Sequence, residues 1–334
     1  MRSLNGIGQR HPEKQTTPDA KSMKSACLAI LNYNGIHHLE HLLPTVASAV
    51  AEIGQPCPVI VLDNCSTGGD RDWVLRHHPW TEVVTAPRND YLYSYNWLLA
   101  RRTEDIVVLL NNDLRLTPGF LSPLLQHFDA EDVFSVGASS RDWENTRSTC
   151  GPAQLKHHHG LYYWDWDRER QVLAHTLFTS GGFMAVDRQR FLMLGGFNRL
   201  YYPGYGEDLD LCFRAWRRGW RCIFEPASLV YHRESGTFSH KASRLMQRSR
   251  FLFQWSSLPP SSSWLDRTTA IVFQALRRAH TGDPGWMIFI IKVWFQWRCL
   301  RRQFPELKVS AAELNAIENQ IRSEPRVRTT NGKS

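Results

Sequence analysis

Short apolar runs alternate with amphipathic segments along the first half of the chain. Five of the apolar runs have the length and the flanking polar residues of buried β-strands. They lie at residues 27–34, 57–69, 81–90, 105–113 and 133–138. The segments between them predict helices at residues 36–53, at 91–102 and from 118 onward. Strands separated by helices indicate a mostly parallel sheet that is covered on both faces.

A strand, a short helix and a glycine turn are predicted at residues 179–197, after a stretch of irregular pattern. An amphipathic helix follows, because apolar residues recur at helical spacing on one face. That face consists of Leu209, Cys212, Phe213 and Trp216. Glu207 and Asp208 lie in its first turn, where acids are common, and Asp210 can pair with Arg214. Position alone therefore gives these acids a structural explanation.

Residues 221–238 predict two short strands ending in His232, and the chain turns helical after residue 241. We predict a disordered leader at residues 1–25, a sheet domain at 26–240 and a helical region at 241–334. The net charge of +8 comes from the last region. Residues 1–240 hold 24 Lys and Arg against 26 Asp and Glu, whereas residues 241–334 hold 16 against 6. The C-terminal region is therefore expected to meet an anionic partner.

Seven cysteines without a CxxC pair argue against a disulfide framework and against a zinc ribbon. A reducing, cytosolic compartment is the simplest interpretation. The first apolar run, at residues 26–31, is too short for the core of a signal peptide. The apolar segment at residues 286–300 is too short and too charged to span a bilayer.

Polar side chains follow four successive strands of the predicted sheet, at the point where each strand ends. They include Asn32, Asn34, Asp63, Asn64, Asn89, Asp90, Asn111, Asn112 and Asp113. Asparagine and aspartate at a single strand end are ordinary turn residues. Ligands of parallel α/β sheets bind beyond the carboxyl ends of the strands, so four such clusters favour a shared ligand site.

Several of these residues have chemistry of their own. Asp113 ends a central strand, and its carboxylate is a ligand that Mg²⁺ or Mn²⁺ prefers. His232 is a second candidate ligand, since imidazole suits Mn²⁺; the alternative is a hydrogen-bonded structural histidine. Asp63 can accept hydrogen bonds from a base or ribose. Asp208 can accept a proton from an attacking hydroxyl, and the helix dipole is expected to keep it ionised.

Five motifs occur in the order expected for one family. They are "LNYNG", "VIVLDNCSTGG", "LLNNDL", "SGGFMAVDRQRFLMLGGFN" and "YGEDLDLCFRAWRRGW", the last followed by "LVYH". Over about residues 26–240 the chain resembles the inverting family-2 glycosyltransferases of the GT-A fold, above all the bacterial rhamnosyltransferase-like branch. The resemblance implies a Rossmann-like, mostly parallel sheet. It also implies transfer of a sugar, with inversion, from a UDP- or dTDP-linked donor to an acceptor hydroxyl of a lipid-linked or cell-surface glycan.

The resemblance also implies roles for individual residues. Asp208 matches the catalytic base and Glu207 supports its loop, while Asp113 and His232 match metal ligands for Mg²⁺ or Mn²⁺. Donor binding is implied for six residues: Asn32, Asn34, Asp63, Asn89, Asn111 and Asn112. "NND" stands where the family has its DxD motif, with asparagine at the first acid position. The lower negative charge should hold a metal more weakly.

An apolar, aromatic and basic segment occupies residues 286–304. Tryptophans with Lys and Arg on a helix are typical of a segment that lies on an anionic membrane surface. Lys292, Gln296 and Arg302 can share its polar side. The alternative is an appendage that packs its tryptophans on the catalytic domain. Membrane attachment fits a cytoplasmic enzyme on the inner face of the cytoplasmic membrane that acts on a lipid-linked acceptor.

Other classes of protein fit the sequence less well. A nucleotidyltransferase on the same sheet edge usually has a glycine-rich basic loop after the first strand, but "LNYNGIHH" contains no Lys or Arg. A nucleic-acid-binding protein would use the basic C-terminal region, and the near-neutral first 240 residues would have no role in binding. No nucleic-acid partner is therefore expected. A catalytically inactive carbohydrate- or nucleotide-binding relative stays open. The aromatic run at residues 162–167 either stacks on a sugar ring or packs as a hairpin.

Overall fold

The computed structural model describes residues 24–158, 161–233, 242–259, 264–280, 283, 285–300 and 308–325. The leader predicted at residues 1–25 lies outside these ranges apart from its last two residues. The strands are β1 (Ala26–Asn32), β2 (Val59–Asp63), β3 (Glu82–Thr85), β4 (Ile106–Asn111), β5 (Leu114–Leu116), β6 (Val133–Asp142), β7 (Ala153–His158), β8 (Leu161–Trp166), β9 (Ala174–His175), β10 (Phe183–Asp187) and β11 (Arg221–His232). The α-helices are α1 (Ile36–Glu52), α2 (Asp70–His77), α3 (Ser94–Leu99), α4 (Leu121–Gln126), α5 (Arg188–Met193), α6 (Glu207–Trp216), α7 (Ala242–Ser257), α8 (Trp264–His280), α9 (Trp286–Leu300) and α10 (Ala311–Arg322).

The main sheet has the strand order β3-β2-β1-β4-β10-β6-β11-β5, with β9 beside β11. β1 pairs in parallel with β2 and with β4, as the alternating pattern predicted. β10 runs antiparallel between β4 and β6, so the sheet is mixed at its centre. This reversal brings the start of β10 next to the end of β4, at the edge where the parallel strands end.

The parallel strands end level with one another. Asn32 of β1 lies opposite Asp63 of β2, and Leu31 lies opposite Asn111 of β4. Thr85, the last residue of β3, also lies opposite Asp63. The predicted polar clusters therefore share one edge of the sheet.

Each face of the sheet has its own apolar core. α1 contributes five buried residues with helical spacing to one face: Leu39, Leu42, Leu43, Val46 and Ala49. On the other face α6 buries the four residues of its predicted apolar side, Leu209, Cys212, Phe213 and Trp216. Burial of one Leu or Phe side chain contributes about 1.5–3 kcal/mol. The two helices are thereby fixed against the strands whose ends carry the polar clusters.

The structure departs from the predicted elements where the pattern is short or interrupted. β5 has three residues and α2 is a polar helix, so neither had a periodic apolar signal. Residues 221–238 were expected to hold two strands, but β11 is one strand up to His232. Its pairing with β6 shifts between Glu225 and Leu229, where Pro226 lacks a backbone N–H donor. The interruption in pattern is an irregularity within one strand.

The aromatic run at residues 162–167 lies in the hairpin of β7 and β8 and packs on the domain. Trp164 contacts Phe253 of α7 edge to face, with ring centroids 6.0 Å apart. Trp166 contacts Phe178 in the same way at 4.7 Å. The packing alternative for this run is therefore confirmed.

The C-terminal helices pack on the sheet domain. Phe251 and Phe253 of α7 belong to the same apolar core as α6. The ion pair of Glu313 with Arg217, at 3.1 Å, joins α10 to the residue that follows α6. Within the described ranges, every helix is too short or too polar to cross a bilayer.

Candidate active site

Side-chain hydrogen bonds join the end of β1 to α2 and to the residue after β4. Asn32 Nδ2 donates to Asp70 Oδ1 at 2.8 Å, and Asn32 Oδ1 accepts from Asn112 Nδ2 at 2.8 Å. The backbone N–H of Gly35, at the start of α1, donates to the same Asp70 oxygen at 2.6 Å. A β-carbon at Gly35 would lie 2.1 Å from Asn112 Nδ2, so this close approach requires glycine. The network fixes both strand ends and the start of α1.

A second network holds the loops that follow β1, β2 and β3. Asn64 Nδ2 donates to Asn89 Oδ1 at 2.8 Å, and Asn64 Oδ1 accepts from Ser94 Oγ at 2.5 Å. Asn34 adopts a φ of +47°, and its Oδ1 accepts from the backbone N–H of Thr67 at 2.8 Å. The oxygens of Asn34 and Asn89 are thus used to shape loops at the sheet edge.

Asp63, Asp70 and Ser94 are buried at this edge. Asp63 Oδ1 accepts from the backbone N–H of Ser66 at 3.2 Å. Asp70 and Ser94 were not predicted as site residues, although both hold predicted site residues in place. Asp70 follows the "STGG" turn, and the exposed residues after it make it look like an ordinary first-turn acid. Its burial depends on Asn32, which is 38 residues away in the chain.

The predicted metal ligands Asp113 and His232 lie together. The pairing of β11 with β5 sets His232 opposite Leu114, and His232 Nε2 lies 3.3 Å from Asp113 Oδ1. Two ligands at a right angle around a metal with bonds of 2.0–2.1 Å are about 3 Å apart. Within the described ranges no group of three His, Cys, Asp or Glu side chains is placed to hold a metal. The contact is a direct interaction of the two side chains, as expected of a structural histidine, and the same pair is close enough to share a divalent metal whose remaining ligands come from phosphate and water.

Asp208 accepts two backbone hydrogen bonds at the start of α6. Its Oδ1 accepts from the N–H of Leu209 at 2.8 Å, and its Oδ2 accepts from the N–H of Gly181 at 3.3 Å. Gly206 precedes the helix at a φ of +85°, a conformation that favours glycine. Because Gly181 lies in the turn before β10, the second hydrogen bond orients the Asp208 carboxylate toward the sheet edge.

Burial dominates the electrostatics of the two predicted catalytic acids. It raises the pKa of Glu207 to about 8, and the neighbouring Asp208 carboxylate adds to the effect. Asp208 is half-buried; its partial removal from solvent raises its pKa, while the backbone N–H groups of Leu209 and Gly181 lower it. The helix start favours the ionised form of Asp208, as predicted, but burial acts in the opposite direction.

The other two acids in the first turn of α6, Asp210 and Glu207, are buried within the protein. Asp210 forms a buried ion pair with Arg214 at 2.8 Å, as the i, i+4 spacing predicted. Arg214 also donates to the carbonyl oxygens of Leu194 and Gly196 at 2.5 and 2.7 Å. Glu207 is buried, and its Oε2 has no hydrogen-bond partner among the described residues.

Gly181 and Gly182 connect Asp208 to the end of β4. The carbonyl oxygen of Gly182 accepts from the N–H of Asn111 at 2.7 Å, and a β-carbon at Gly182 would lie 2.7 Å from Asn111 Nδ2. Asp208 and the Asn-Asn-Asp strand end therefore flank two adjacent glycines, whose Cα atoms are about 3.8 Å apart. Residues 179–197 were predicted as a strand, a short helix and a glycine turn, without this role for the two glycines. The double glycine before the strand was the available signal.

The mixed sheet, its polar strand ends and the acid-bearing helix beside them define a protein of the GT-A glycosyltransferase fold. A family model described as "Glycosyltransferase like family 2" matches residues 39–251, which is more than half of the chain. The chain belongs to this family. The family resemblance of the five motifs is therefore confirmed.

Two curated relatives come from Mycobacterium tuberculosis. The chain is 27% identical over 227 residues to a Pre-mycofactocin glycosyltransferase. The matched region covers 66% of this chain and 45% of that protein. The chain is 24% identical over 257 residues to N-acetylglucosaminyl-diphospho-decaprenol L-rhamnosyltransferase. The matched region covers 67% of this chain and 81% of that protein. The chain thus spans less than half the length of the first relative.

Two solved structures share the fold at low sequence identity. GalNAc-T7 with UDP, GalNAc and Mn²⁺ superposes with a TM-score of 0.51 and 14% identity. The superposed region covers 70% of this chain and 48% of the GalNAc-T7 chain. The mannosyltransferase PcManGT from Pyrobaculum calidifontis, in complex with GDP-Man and Mn²⁺, has a TM-score of 0.50 and 15% identity. That match covers 91% of this chain and 81% of PcManGT.

Proposed function

We propose that this protein is an inverting glycosyltransferase. It moves a sugar from a UDP- or dTDP-linked donor to an acceptor hydroxyl. The observation that carries the proposal is the juxtaposition of Asp208 and the strand end at residues 111–113 across the Gly181–Gly182 turn. Displacement with inversion needs a base on one side of the anomeric carbon and a diphosphate site on the other.

In this reaction Asp208 accepts the proton of the acceptor hydroxyl. The acceptor oxygen forms a bond to the anomeric carbon as the bond from that carbon to the diphosphate oxygen breaks. The nucleoside diphosphate leaves with the electron pair, and attack from the opposite side inverts the configuration. The raised pKa of Asp208 makes it a stronger base, since an effective general base has a pKa close to the working pH. The N–H groups of Leu209 and Gly181 hold its carboxylate in one orientation.

Asp113 and His232 are proposed to hold a divalent metal, Mg²⁺ or Mn²⁺. When bound, such a metal neutralises charge on the leaving diphosphate. The 3.3 Å distance between the two side chains supports the assignment, and the solved structures of GalNAc-T7 and PcManGT contain Mn²⁺. Asn111 and Asn112 bring no charge, so we expect weak metal affinity until the nucleotide diphosphate adds its own oxygens.

The donor is proposed to bind along the edge formed by β1, β2 and β4. Asp63, which ends β2 at this edge, is proposed to accept hydrogen bonds from the base or the ribose, and Asn111 bonds to Gly182 in the turn beside Asp208. Asn32, Asn34 and Asn89 act mainly through the strand ends and loops that their side chains hold. Asn112 acts in the same way through its bond to Asn32.

The acceptor is proposed to be a lipid-linked or cell-surface glycan of a bacterial envelope pathway. The name of the mycobacterial rhamnosyltransferase, which acts on an N-acetylglucosaminyl-diphospho-decaprenol, supports this class of acceptor. A polyprenyl acceptor is held in the membrane, so an enzyme that uses it must work at the membrane surface. We place the protein in the cytoplasm, on the inner face of the cytoplasmic membrane.

Helix α9 supports this location because it is apolar on two opposite sides. Trp286 and Trp297 face the domain, and Trp297 Nε1 donates to Ser256 Oγ at 2.9 Å. Ile288, Ile291, Trp294 and Phe295 are exposed on the other side. One side of the helix therefore packs its tryptophans on the domain, and the other side is free to lie on a membrane surface. The exposed side also carries Lys292 and Arg298, which suits an anionic lipid surface.

The experiment that tests the function is calorimetric titration with UDP, dTDP and GDP, each with and without Mn²⁺. We expect one of UDP and dTDP to bind more tightly with Mn²⁺, and the Asp113→Ala and His232→Ala variants to lose that enhancement. His77→Ala, an exposed histidine on α2, is the matched control and should bind like the wild type. If no nucleotide binds under any condition, the protein is a catalytically inactive relative and the proposal is wrong. Metal-independent binding would remove only the metal assignment.

A further inference from the structure

Three consecutive polar residues of α7 are buried: Gln247, Arg248 and Ser249. Phe251 and Leu252, which follow after Arg250, are the apolar residues expected at a buried face. A buried arginine is unfavourable unless its charge and its donors have partners. The partners of these polar residues therefore indicate their role.

Arg248 and Ser249 bind the segment that leads into α6. Arg248 Nη2 donates to the carbonyl oxygen of Leu200 at 3.1 Å. Ser249 Oγ donates to the carbonyl oxygen of Tyr205 at 2.5 Å. A β-carbon on Gly206 would lie 2.9 Å from Ser249 Cβ, so α7 is in close contact with the residue that precedes α6. One turn of α7 thus holds both ends of the segment from Leu200 to Gly206.

This segment depends on outside support because its backbone is irregular. Tyr205 has a φ of +68°, and Gly206 follows at +85°. A left-handed conformation is unfavourable for a tyrosine, and the hydrogen bond from Ser249 holds Tyr205 in it. Asp208 follows three residues later, so a shift of this segment would move its carboxylate away from Gly181.

The support extends to α9. Arg248 Nε donates to Gln296 Oε1 at 3.1 Å, and Trp286 Nε1 donates to Gln247 Oε1 at 2.5 Å. Gln296 was predicted on a polar side with Lys292 and Arg302; it is exposed beside Lys292 and also binds Arg248, and Arg302 lies outside the described residues. Two hydrogen bonds in series therefore connect α9, through Arg248, to the segment that precedes Asp208.

We propose that Arg248 and Ser249 are positioning residues for Asp208, so that α7 is part of the catalytic apparatus. The inference rests on the proposed function, since it takes Asp208 as the base. Both residues act through the carbonyl oxygens of Leu200 and Tyr205. Their loss should lower turnover and leave donor binding unchanged, because the proposed donor residues lie at the ends of β1, β2 and β4 and in the loops after β1, β3 and β4.

The test compares Arg248→Met, Arg248→Lys and Ser249→Ala with Arg250→Met. Arg250 is the matched control because it lies on the same helix but stacks on Tyr163 of the β7–β8 hairpin, 4.7 Å from the ring centroid. Amide hydrogen exchange of residues 200–208 reports the position of the segment without any substrate. Nucleotide affinity is measured with UDP and dTDP in Mn²⁺, and turnover as nucleoside diphosphate released from the UDP- or dTDP-sugar used by the wild type.

We expect faster exchange at residues 200–208 in Arg248→Met and Ser249→Ala, and wild-type exchange there in Arg250→Met. The kcat of Arg248→Met should fall about 10- to 100-fold, since small displacements of catalytic groups have effects of this size. The loss in Ser249→Ala should be about threefold to tenfold. The donor KM should stay within about twofold, and Arg248→Lys should restore part of the kcat.

The proposal is overturned if kcat is unchanged while exchange becomes faster, or if Arg250→Met has the same effect as Arg248→Met. If Arg248→Met does not fold, Ser249→Ala alone decides, because it removes one hydroxyl group. Failure of the proposed function has a different outcome: the wild type then binds no nucleotide and releases none. The exchange measurement would still report whether α7 holds the segment.

Discussion

The carboxylate of Asp208 accepts a hydrogen bond from the backbone N–H of Gly181 at 3.3 Å. The contact joins α6 to the turn before β10, and the two residues are 27 positions apart in the chain. It exists because β10 runs antiparallel to β4 and so begins at the edge where β4 ends. The reversal of one strand therefore brings the proposed base beside the proposed diphosphate site.

Replacement of Asp208 by asparagine tests this base directly. The amide oxygen of Asp208→Asn still accepts a backbone hydrogen bond, but the side chain no longer takes up a proton. We expect transfer to fall by at least about 100-fold, the usual contribution of a general base, and nucleotide affinity to stay near wild type. Turnover and calorimetry measure the two effects. Asp72→Asn, at an exposed position of α2, is the control, and substantial transfer by Asp208→Asn would exclude the role.

Glu207 is predicted to make the protein less stable as the pH rises. Its pKa is about 8 in the folded protein, raised from 4.5 mainly by burial. Between these pH values the folded state keeps a proton that the unfolded state has released, so the free energy of unfolding decreases as pH rises from 4.5 through 8. Glu207→Gln removes this titration. Its Tm should match the wild type at pH 5 and exceed it at pH 9, by about 2–4 °C for each kcal/mol.

Thermal unfolding between pH 5 and pH 9 measures this difference. Glu40→Gln is the matched control, because Glu40 is exposed on α1 and its replacement should leave the pH dependence of the wild type unchanged. A Glu207→Gln protein with the same Tm offset at every pH would show that Glu207 does not titrate in this range.

Much of the fold could be predicted from sequence because periodicity is local. α1, β2 and β4 lie within the predicted segments and β1 begins one residue before its own, since one apolar stripe or run faces a core. The direction of β10 could not be predicted, because an apolar run looks the same in a parallel and in an antiparallel strand. β5 and α2 have too few apolar residues to produce a pattern.

The site residues likewise fall into those that a local pattern identifies and those that only distant contacts identify. Asp113 and Asn111 could be found because polarity at the end of a strand is visible over a few residues. The roles of Asp70 and Arg248 could not, because their partners are 38 and 48 positions away in the chain. A buried polar residue resembles a surface residue in sequence, and its hydrogen bonds across the fold are what make it part of the site.

The buried pair of Asp210 and Arg214 is predicted to stabilise the fold far more than an exposed pair of the same spacing. In the former the side chains are 1% and 10% exposed, whereas in the α10 pair of Glu318 and Arg322 they are 23% and 64% exposed. Asp210→Ala leaves a buried arginine without its carboxylate, which costs about 3–5 kcal/mol. Glu318→Ala should cost less than about 1 kcal/mol. Equal free energies of unfolding in urea for the two variants would contradict this prediction.

The exposed side of α9 is predicted to bind anionic membranes. Ile288 is 60% and Phe295 is 58% exposed, and they lie seven positions apart on one side of the helix. Lys292 lies between them, so insertion of the apolar side chains brings its charge to the lipid headgroups. Deletion of the helix is a poor test, because Trp286, Ile290 and Val293 belong to the domain core. Substitutions on the exposed side avoid this problem.

Sedimentation with phosphatidylglycerol vesicles is the measurement, with phosphatidylcholine vesicles for comparison. The wild type should sediment with the anionic vesicles and be released by high salt, since screening weakens surface charge. The double variant Ile288→Ser, Phe295→Ser should bind at least about tenfold more weakly, because it removes two side chains that would each enter the apolar layer. A control with Leu75→Ser and Val172→Ser, exposed at 43% and 53% on the sheet domain, should bind like the wild type. Equal sedimentation of the two double variants would mean that α9 does not carry the membrane contact.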